Sequence, residues 1–110
     1  MIARIWHGVT PSVGADEYFN YLNRTGISDY RATAGNKGVL VLRRLDEGKT
    51  HFLLISLWES LAAVQQFAGT EIEKAQYYPE DENYLLELEP QVQHYEILTA
   101  PSEAKCDVRS

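Results

Sequence analysis

The side chains of this sequence with the means to do chemistry are His7, Tyr77, Tyr78 and His94, with Trp58 and Phe67 as flat aromatic surfaces. His7 sits within the run Met1–Thr10, with Ile5 and Val9 on its own side of an alternating strand. An imidazole in a pocket can act near neutral pH as a general base or an electrophile; the alternative is a buried histidine hydrogen-bonded to a polar neighbour. Tyr77 and Tyr78 stand side by side before Pro79. A phenol there would orient a substrate oxygen or pass a proton, or else simply pack with its hydroxyl at the surface. Adjacent tyrosines are expected to point one inward and one outward, and Tyr77 is the better functional candidate of the two. Trp58 and Phe67 would be walls for an aromatic ligand or plain core, since large aromatics mostly fill space. On these grounds His7 and Tyr77 are the candidate catalytic residues, and Trp58, Phe67, Tyr78 and His94 the candidate substrate contacts.

Other chemistries find no support in the sequence. His7 and His94 lie on strands expected to be neighbours, but no third ligand completes a metal site and no Cys/His/Asp/Glu cluster has zinc or iron spacing. No metal and no cofactor are expected. There is no G-x-S-x-G, P-loop, G-x-G-x-x-G or C-x-x-C. A net charge of −6 argues against nucleic acid or an anionic membrane as partner. No apolar run approaches the roughly 20 residues that span a bilayer, and no signal peptide is visible. The lone cysteine, Cys106, cannot form an internal disulfide and has no neighbour to activate it, so a cytoplasmic protein is expected. Arg4, Arg43 and Arg44 read as surface or interface ion pairs, and the acids from Glu80 to Glu89 as the solvated side of a helix.

The elements that would position these residues follow from local signals. Met1–Thr10 is β-branched and aromatic and ends at Pro11, which predicts a strand. In Ala15–Thr25, Ala15, Tyr18, Phe19 and Leu22 share a helical side, Asp16 and Glu17 suit the first turn, and Gly26 is a natural stop. Ile27–Ala34 predicts a short helical piece carrying Tyr30 and Arg31. Strands are predicted at Val39–Leu45 and Thr50–Trp58, joined by a hairpin loop Asp46–Lys49 with Gly48 at positive φ. Ser60 caps a helix Leu61–Ala68 whose stripe is Leu61, Val64 and Ala68, and Gly69 ends it. Thr70–Glu73 has the capping-box pattern of another helical turn. Pro79–Glu82 opens a third helical piece ending before Pro90, and Gln91–Leu98 is the last strand. Residues 1–98 form one domain, and 99–110 a polar tail expected to be disordered.

The order is β-α-β-β-α-β, the ferredoxin-like arrangement of the α+β class: a four-stranded antiparallel sheet with helices on one side only. The middle strands, Val39–Leu42 and Phe52–Ile55, are apolar at both parities, so both of their sides are to be buried. Leaving such side chains in water costs roughly 1.5–3 kcal/mol each. A homodimer through facing sheets is therefore expected.

The strand Ile2–Val9, the turn and strand Gly38–Leu42, and the junction Ser56-Leu57-Trp58-Glu59-Ser60 with Phe67 downstream resemble the antibiotic-biosynthesis-monooxygenase family of the dimeric α/β-barrel superfamily, over about residues 1–98. The resemblance implies a dimeric α/β barrel and, as function, a cofactor-independent monooxygenase. Its substrate would be a small aromatic or enolisable molecule held between sheet and helices. It also implies two alternatives, a non-catalytic small-molecule-binding homodimer and a haem-binding or haem-degrading protein. The haem-degrading branch places an Asn, a Trp and an iron-ligating His at positions that fall here on His7, Phe67 and Tyr77.

Overall fold

The structure, a computed structural model, describes residues 1–101. The chain runs β1 (Ile2–Pro11), a 3-10 turn (Ser12–Gly14), α1 (Ala15–Arg24), α2 (Gly26–Ala32), β2 (Asn36–Asp46), β3 (Lys49–Trp58), α3 (Leu61–Ala68), α4 (Asp81–Tyr84) and β4 (Gln93–Glu96). The strands make one antiparallel sheet in the order β2-β3-β1-β4, the ferredoxin-like order anticipated from the element pattern.

Register decides which side chains share a face. Trp6 lies opposite Leu54 and His7 opposite Leu53. Trp6, Phe52, Leu54 and Trp58 are buried with Tyr18, Tyr21 and Leu22 of α1, Ile27 and Tyr30 of α2, and Ala63 and Val64 of α3. The helices thus cover the face that carries Trp6. Gly8 belongs to the same face: a Cβ there would lie 2.3 Å from the Trp6 ring and 2.9 Å from Leu85 Cδ2, so only glycine lets both pack against the strand. The other face carries Ile5, His7, Val9, Leu53, Ile55 and Leu57, all partly exposed. On its β2 side Leu40 is 50% and Leu42 45% exposed.

Several elements differ from the sequence expectation. α1 ends at Arg24, and Gly26 opens α2 instead of stopping α1; Thr25, at φ −115° and ψ −95°, makes the break. On α1 Tyr21 is buried and Phe19 is 37% exposed, because the α1 surface that meets the sheet is rotated toward Tyr18–Tyr21–Leu22. On α3 the buried pair is Ala63 and Val64, whereas Leu61 is exposed. Ser60 caps α3 as expected, its hydroxyl accepting from Ala63 N–H at 3.1 Å. β4 is shorter than Gln91–Leu98, and the tail expectation falls mainly on residues 102–110, outside the described residues.

The largest departure is the segment after α3. Thr70–Glu73 starts no helix: Glu71 O takes a single turn bond from Lys74 N–H at 3.1 Å, and the carbonyls of Ile72 and Glu73 go to tertiary partners. Arg4, 1% exposed, donates from Nη1 to Ile72 O at 2.5 Å and from Nη2 to Lys74 O at 3.2 Å. Val92 N–H donates to Glu73 O at 2.7 Å, and Ala75 N–H to Pro90 O at 2.9 Å. A helix would need those carbonyls for its own N–H groups. The third helical piece is likewise cut to Asp81–Tyr84. Leu85 is extended and Leu86 N–H is drawn to Val9 O at 2.9 Å, which lays the chain along the end of β1.

Arg4 is therefore a clamp on the segment that leads to Tyr77. Arg4→Ala is expected to lower the unfolding free energy by about 3 kcal/mol, through lost charge-assisted bonds and stranded carbonyls. Arg4→Lys should lose less. Urea unfolding checks this as a fall in midpoint at unchanged slope.

Candidate active site

The segment Gln76–Asp81 is hung on the helices by tyrosines. Tyr18 OH donates to Asp81 Oδ1 at 2.8 Å, Asp81 Oδ2 accepts from Tyr78 N–H at 2.6 Å, and Tyr21 OH accepts from Glu80 N–H at 3.0 Å. Tyr78 OH donates to Asp29 of α2. Gln76, Tyr77 and Tyr78 border an open cleft of about 440 Å³ against α2 and α3, lined also by Asp29, Thr33, Gln66 and Phe67. Phe67, Gln76 and Tyr78 are shared with a smaller cavity of about 20 Å³ beneath, which reaches Trp6, Tyr30, Leu54 and Asp81. That is room for about one water molecule.

The lining of this small cavity is chemically unusual. Asp81 is 3% exposed, and burial raises its carboxyl above the ordinary value of 3.8 despite the hydrogen bonds from Tyr78 N–H and the Tyr18 phenol, which lower it. The Tyr18 phenol is pushed up, first by burial and then by Asp81. A buried carboxyl group raised in this way, beside a cavity walled by aromatics, accepts a proton more readily than an ordinary carboxylate.

The candidate residues divide between two faces of the sheet. Phe67, Tyr77 and Tyr78 come together in the cleft. The two tyrosines do not point one in and one out: both rings are partly buried, and their hydroxyls diverge, Tyr78 toward Asp29 and Tyr77 to Glu89 O at 2.5 Å. Burial raises both phenols, the neighbouring Asp29 adding to the effect at Tyr78. Trp58 is 0% exposed, its indole N–H donating to Ser56 Oγ at 2.9 Å and its ring packed on Tyr30 and Phe67. It backs the cleft wall and does not line the cleft. His94 is on the helix face but is tied to Arg4, Nε2 to Nη1 at 3.0 Å, and its imidazole is lowered by burial and then by the Arg4 charge.

His7 is a correction. It was expected in the pocket between sheet and helices, yet it stands on the helix-free face, because Trp6 takes the helix side and alternation sends its neighbour the other way. For the same reason His7 and His94 are not a pair. His7 meets His51 instead, Nε2 to Nδ1 at 2.9 Å, and Glu89, Nδ1 to Oε2 at 2.6 Å. Sequence reasoning missed Asp81, Tyr18 and His51. Asp81 was read within a solvated acidic run, although its position just after Pro79 suits a side chain that turns back onto the backbone. Nothing local distinguishes His51, which only the β1–β3 register brings to His7. Among the described residues no group of three or more His, Cys, Asp or Glu side chains could hold a metal ion.

No family model matches the sequence, and no curated protein matches it. Solved structures do. The haem-degrader MhuD of Mycobacterium tuberculosis, with two haems in its active site, superposes with a TM-score of 0.61 at 15% identity, covering 92% of this chain and 99% of that one. A protein of Nitrosomonas europaea named as an antibiotic biosynthesis monooxygenase gives 0.57 at 18% identity, over 90% and 100% of the two chains. A point mutant of MhuD with two manganese protoporphyrin IX per active site gives 0.58 at 15% identity, over 92% and 98%. The chain has their ferredoxin-like fold. At such identities the likeness is one of ferredoxin-like architecture, and it agrees with the resemblance carried by the Trp58-Glu59-Ser60 junction.

The raised Asp81 carboxyl yields a test with a definite sign. In the folded state it holds its proton to higher pH than in the unfolded chain, so the unfolded chain releases that proton first. Wild-type stability should therefore decline, relative to Asp81→Asn, as pH rises from the ordinary value of 3.8 through the raised folded one. Below that window the difference between the two proteins should be flat. Urea unfolding of both across the acid range reads this slope separately from any constant offset caused by the substitution.

Proposed function

We propose that this protein is a small-molecule enzyme of the cofactor-independent oxygenase type, acting on a small aromatic or enolisable substrate in the cleft between α2, α3 and the segment Gln76–Tyr78. The observation that carries this reading is the cleft walled by Phe67, Tyr77 and Tyr78, which shares Phe67 and Tyr78 with a one-water cavity that the buried Asp81 carboxyl lines. A substrate able to form an enolate or phenolate supplies electrons to oxygen itself. In the balanced reaction a ring methylene and O₂ become a carbonyl and water. The protein contributes a base and a walled cleft that holds the substrate in place. Asp81 takes the substrate proton through a water in the small cavity that it lines, a role that passes to it from His7, which faces away. Phe67 and Tyr78 wall the substrate. The Tyr77 and Tyr78 oxygens donate to the protein and keep lone pairs to accept from a substrate hydroxyl.

The residues of the cleft do not fit haem. Tyr77, at the position expected to hold iron, gives its O–H to the Glu89 carbonyl. Its phenol is raised by burial, against a lowering from Trp6 and with smaller raising contributions from Glu89 and Asp81, and the net rise disfavours the phenolate that ferric iron takes. Among the described residues no histidine lines the cleft.

Oxygen uptake with a panel of phenolic and quinol substrates tests the assignment. Turnover on at least one is expected, reduced about 100-fold or more in Asp81→Asn and less in Tyr77→Phe. Absence of uptake across the panel would favour the non-catalytic binder, and a saturable Soret shift with hemin, lost in Tyr77→Phe, would favour haem chemistry.

The same proposal includes a homodimer through the helix-free sheet face. Leu40 and Leu42 are half exposed there, beside Ile5, Val9, Leu53 and Ile55, and a second copy of that face covers them at the lowest cost in new contacts. Sedimentation at micromolar concentration should give a dimer for the wild type and a monomer for Leu42→Asp with Leu53→Asp. A monomeric wild type would overturn the assembly.

A further inference from the structure

The cleft walled by Phe67, Tyr77 and Tyr78 carries an uneven set of charges. Asp29 of α2 lines it, with Thr33, Gln66 and Gln76 as neutral polar neighbours. Among the described residues no Lys, Arg or His lines it, nor the small cavity beneath, where Asp81 supplies a second carboxyl group. Two cations lie nearby without lining it. Arg4 stands over the Phe67 ring at 5.5 Å, but it is 1% exposed and bonded to Ile72 O, Lys74 O and His94. Lys74 lines a separate depression beyond Gln76 and Tyr77, and Glu71 lines that depression with it.

Asp29 also has bonding capacity to spare. Its N–H donates to Thr25 O at 3.0 Å, its carbonyl accepts from Thr33 Oγ1 at 2.8 Å, and its Oδ2 accepts the Tyr78 hydroxyl. Among the described residues Oδ1 has no hydrogen-bond partner, and no basic side chain forms an ion pair with the carboxylate. A carboxylate accepts at several lone-pair sites, so the bond from Tyr78 leaves most of them free. The residue is exposed, which opens Oδ1 to a ligand arriving from solvent. The bond to Tyr78 anchors the carboxylate to the aromatic wall, so a group held by Oδ1 lies close to that ring.

Charge then sorts the aromatic molecules that fit. An ammonium group gains a charge-assisted hydrogen bond from Asp29 and attraction to the rings of the same cleft. A hydroxyl gains an ordinary hydrogen bond. A carboxylate meets a like charge with no lining cation to offset it, in a protein whose net charge is −6.

We propose that Asp29 is the specificity-determining residue of the cleft: its free carboxylate oxygen selects aromatic substrates that carry an amine and turns away those that carry a carboxylate. The proposal rests on the cleft being the substrate site. Asp29 takes no part in proton transfer and decides which molecule is held.

The experiment is a binding titration by NMR of ¹⁵N-labelled protein, following the side-chain amides of Gln66 and Gln76, which line the cleft. Each amide is assigned by its alanine variant. Three phenols of similar size are the probes: tyramine with an ammonium group, tyrosol with a hydroxyl and para-hydroxyphenylacetate with a carboxylate. Tyramine is expected to bind most tightly and the carboxylate least, with Kd differing by about tenfold between them at low salt. The difference should shrink as salt is raised. Asp29→Asn keeps an acceptor for Tyr78 and should bring the two affinities close together while moving the tyrosol Kd little. Ala32→Lys adds a cation to the same lining with Asp29 in place, and should improve binding of the carboxylate relative to tyramine. If Asp29→Asn does not fold, the Ala32→Lys result decides. Equal affinities in the wild type, an order that survives Asp29→Asn, or an order unmoved by Ala32→Lys overturns this proposal and leaves the cleft standing as an aromatic site. Failure of all three phenols to shift Gln66 and Gln76 overturns the substrate-site reading together with it.

Discussion

The guanidinium of Arg4 is the contact on which the helix side of this molecule depends. It is a buried cation with no carboxylate in ion-pair range among the described residues, and its Nε has no hydrogen-bond partner. Burial lowers its affinity for the proton, although an arginine remains charged. Its compensation comes from dipoles: the carbonyls of Ile72 and Lys74, the lone pair of His94, and the face of Phe67 at 5.5 Å. These partners lie far from Arg4 along the chain, so the cation ties β4, the segment after α3 and the α3 ring to the central strand at once. Two of the groups that define the cleft, Phe67 and the chain leading to Tyr77, take their places from it.

A second constraint follows from alternation along β1. Arg4, Trp6 and Gly8 face the helices, so Ile5, His7 and Val9 cannot. The sheet accordingly presents two chemistries back to back. One side is an aromatic layer with the Tyr18–Asp81 pair set into it. The other is an apolar surface crossed by a line of histidines and carboxylates. Glu89 sits where the chain passes from one to the other, at the edge of the sheet, and serves both.

The order of strands and helices was legible because its signals are local. Pro11, Gly48 and Gly69 end elements by their backbone preferences, and Ser60 caps α3 with its own hydroxyl. The apolar character of both parities in Val39–Leu42 and Phe52–Ile55 is likewise written in single residues. The site was legible only in part. Phe67, Tyr77 and Tyr78 do gather in one cleft, but Trp58 is sealed behind them and His94 is spent on Arg4. The capping-box pattern at Thr70–Glu73 was a true local preference that lost to longer-range partners for the same carbonyls.

By itself, then, the sequence determined the period of each element, the grouping of Arg4 with Trp6 and of Ile5 with His7, and the two-sided apolarity of the sheet. Those properties depend on bond geometry and on neighbours a few residues away. Tertiary structure alone decided which of the two groups meets the helices, that His7 finds His51 and Glu89 in place of His94, and that Asp81 is drawn out of an acidic run to the wall of a buried cavity. Each of these depends on strand register or on competition for a buried hydrogen bond. Such contacts join residues dozens of positions apart, and no local pattern in the chain records them.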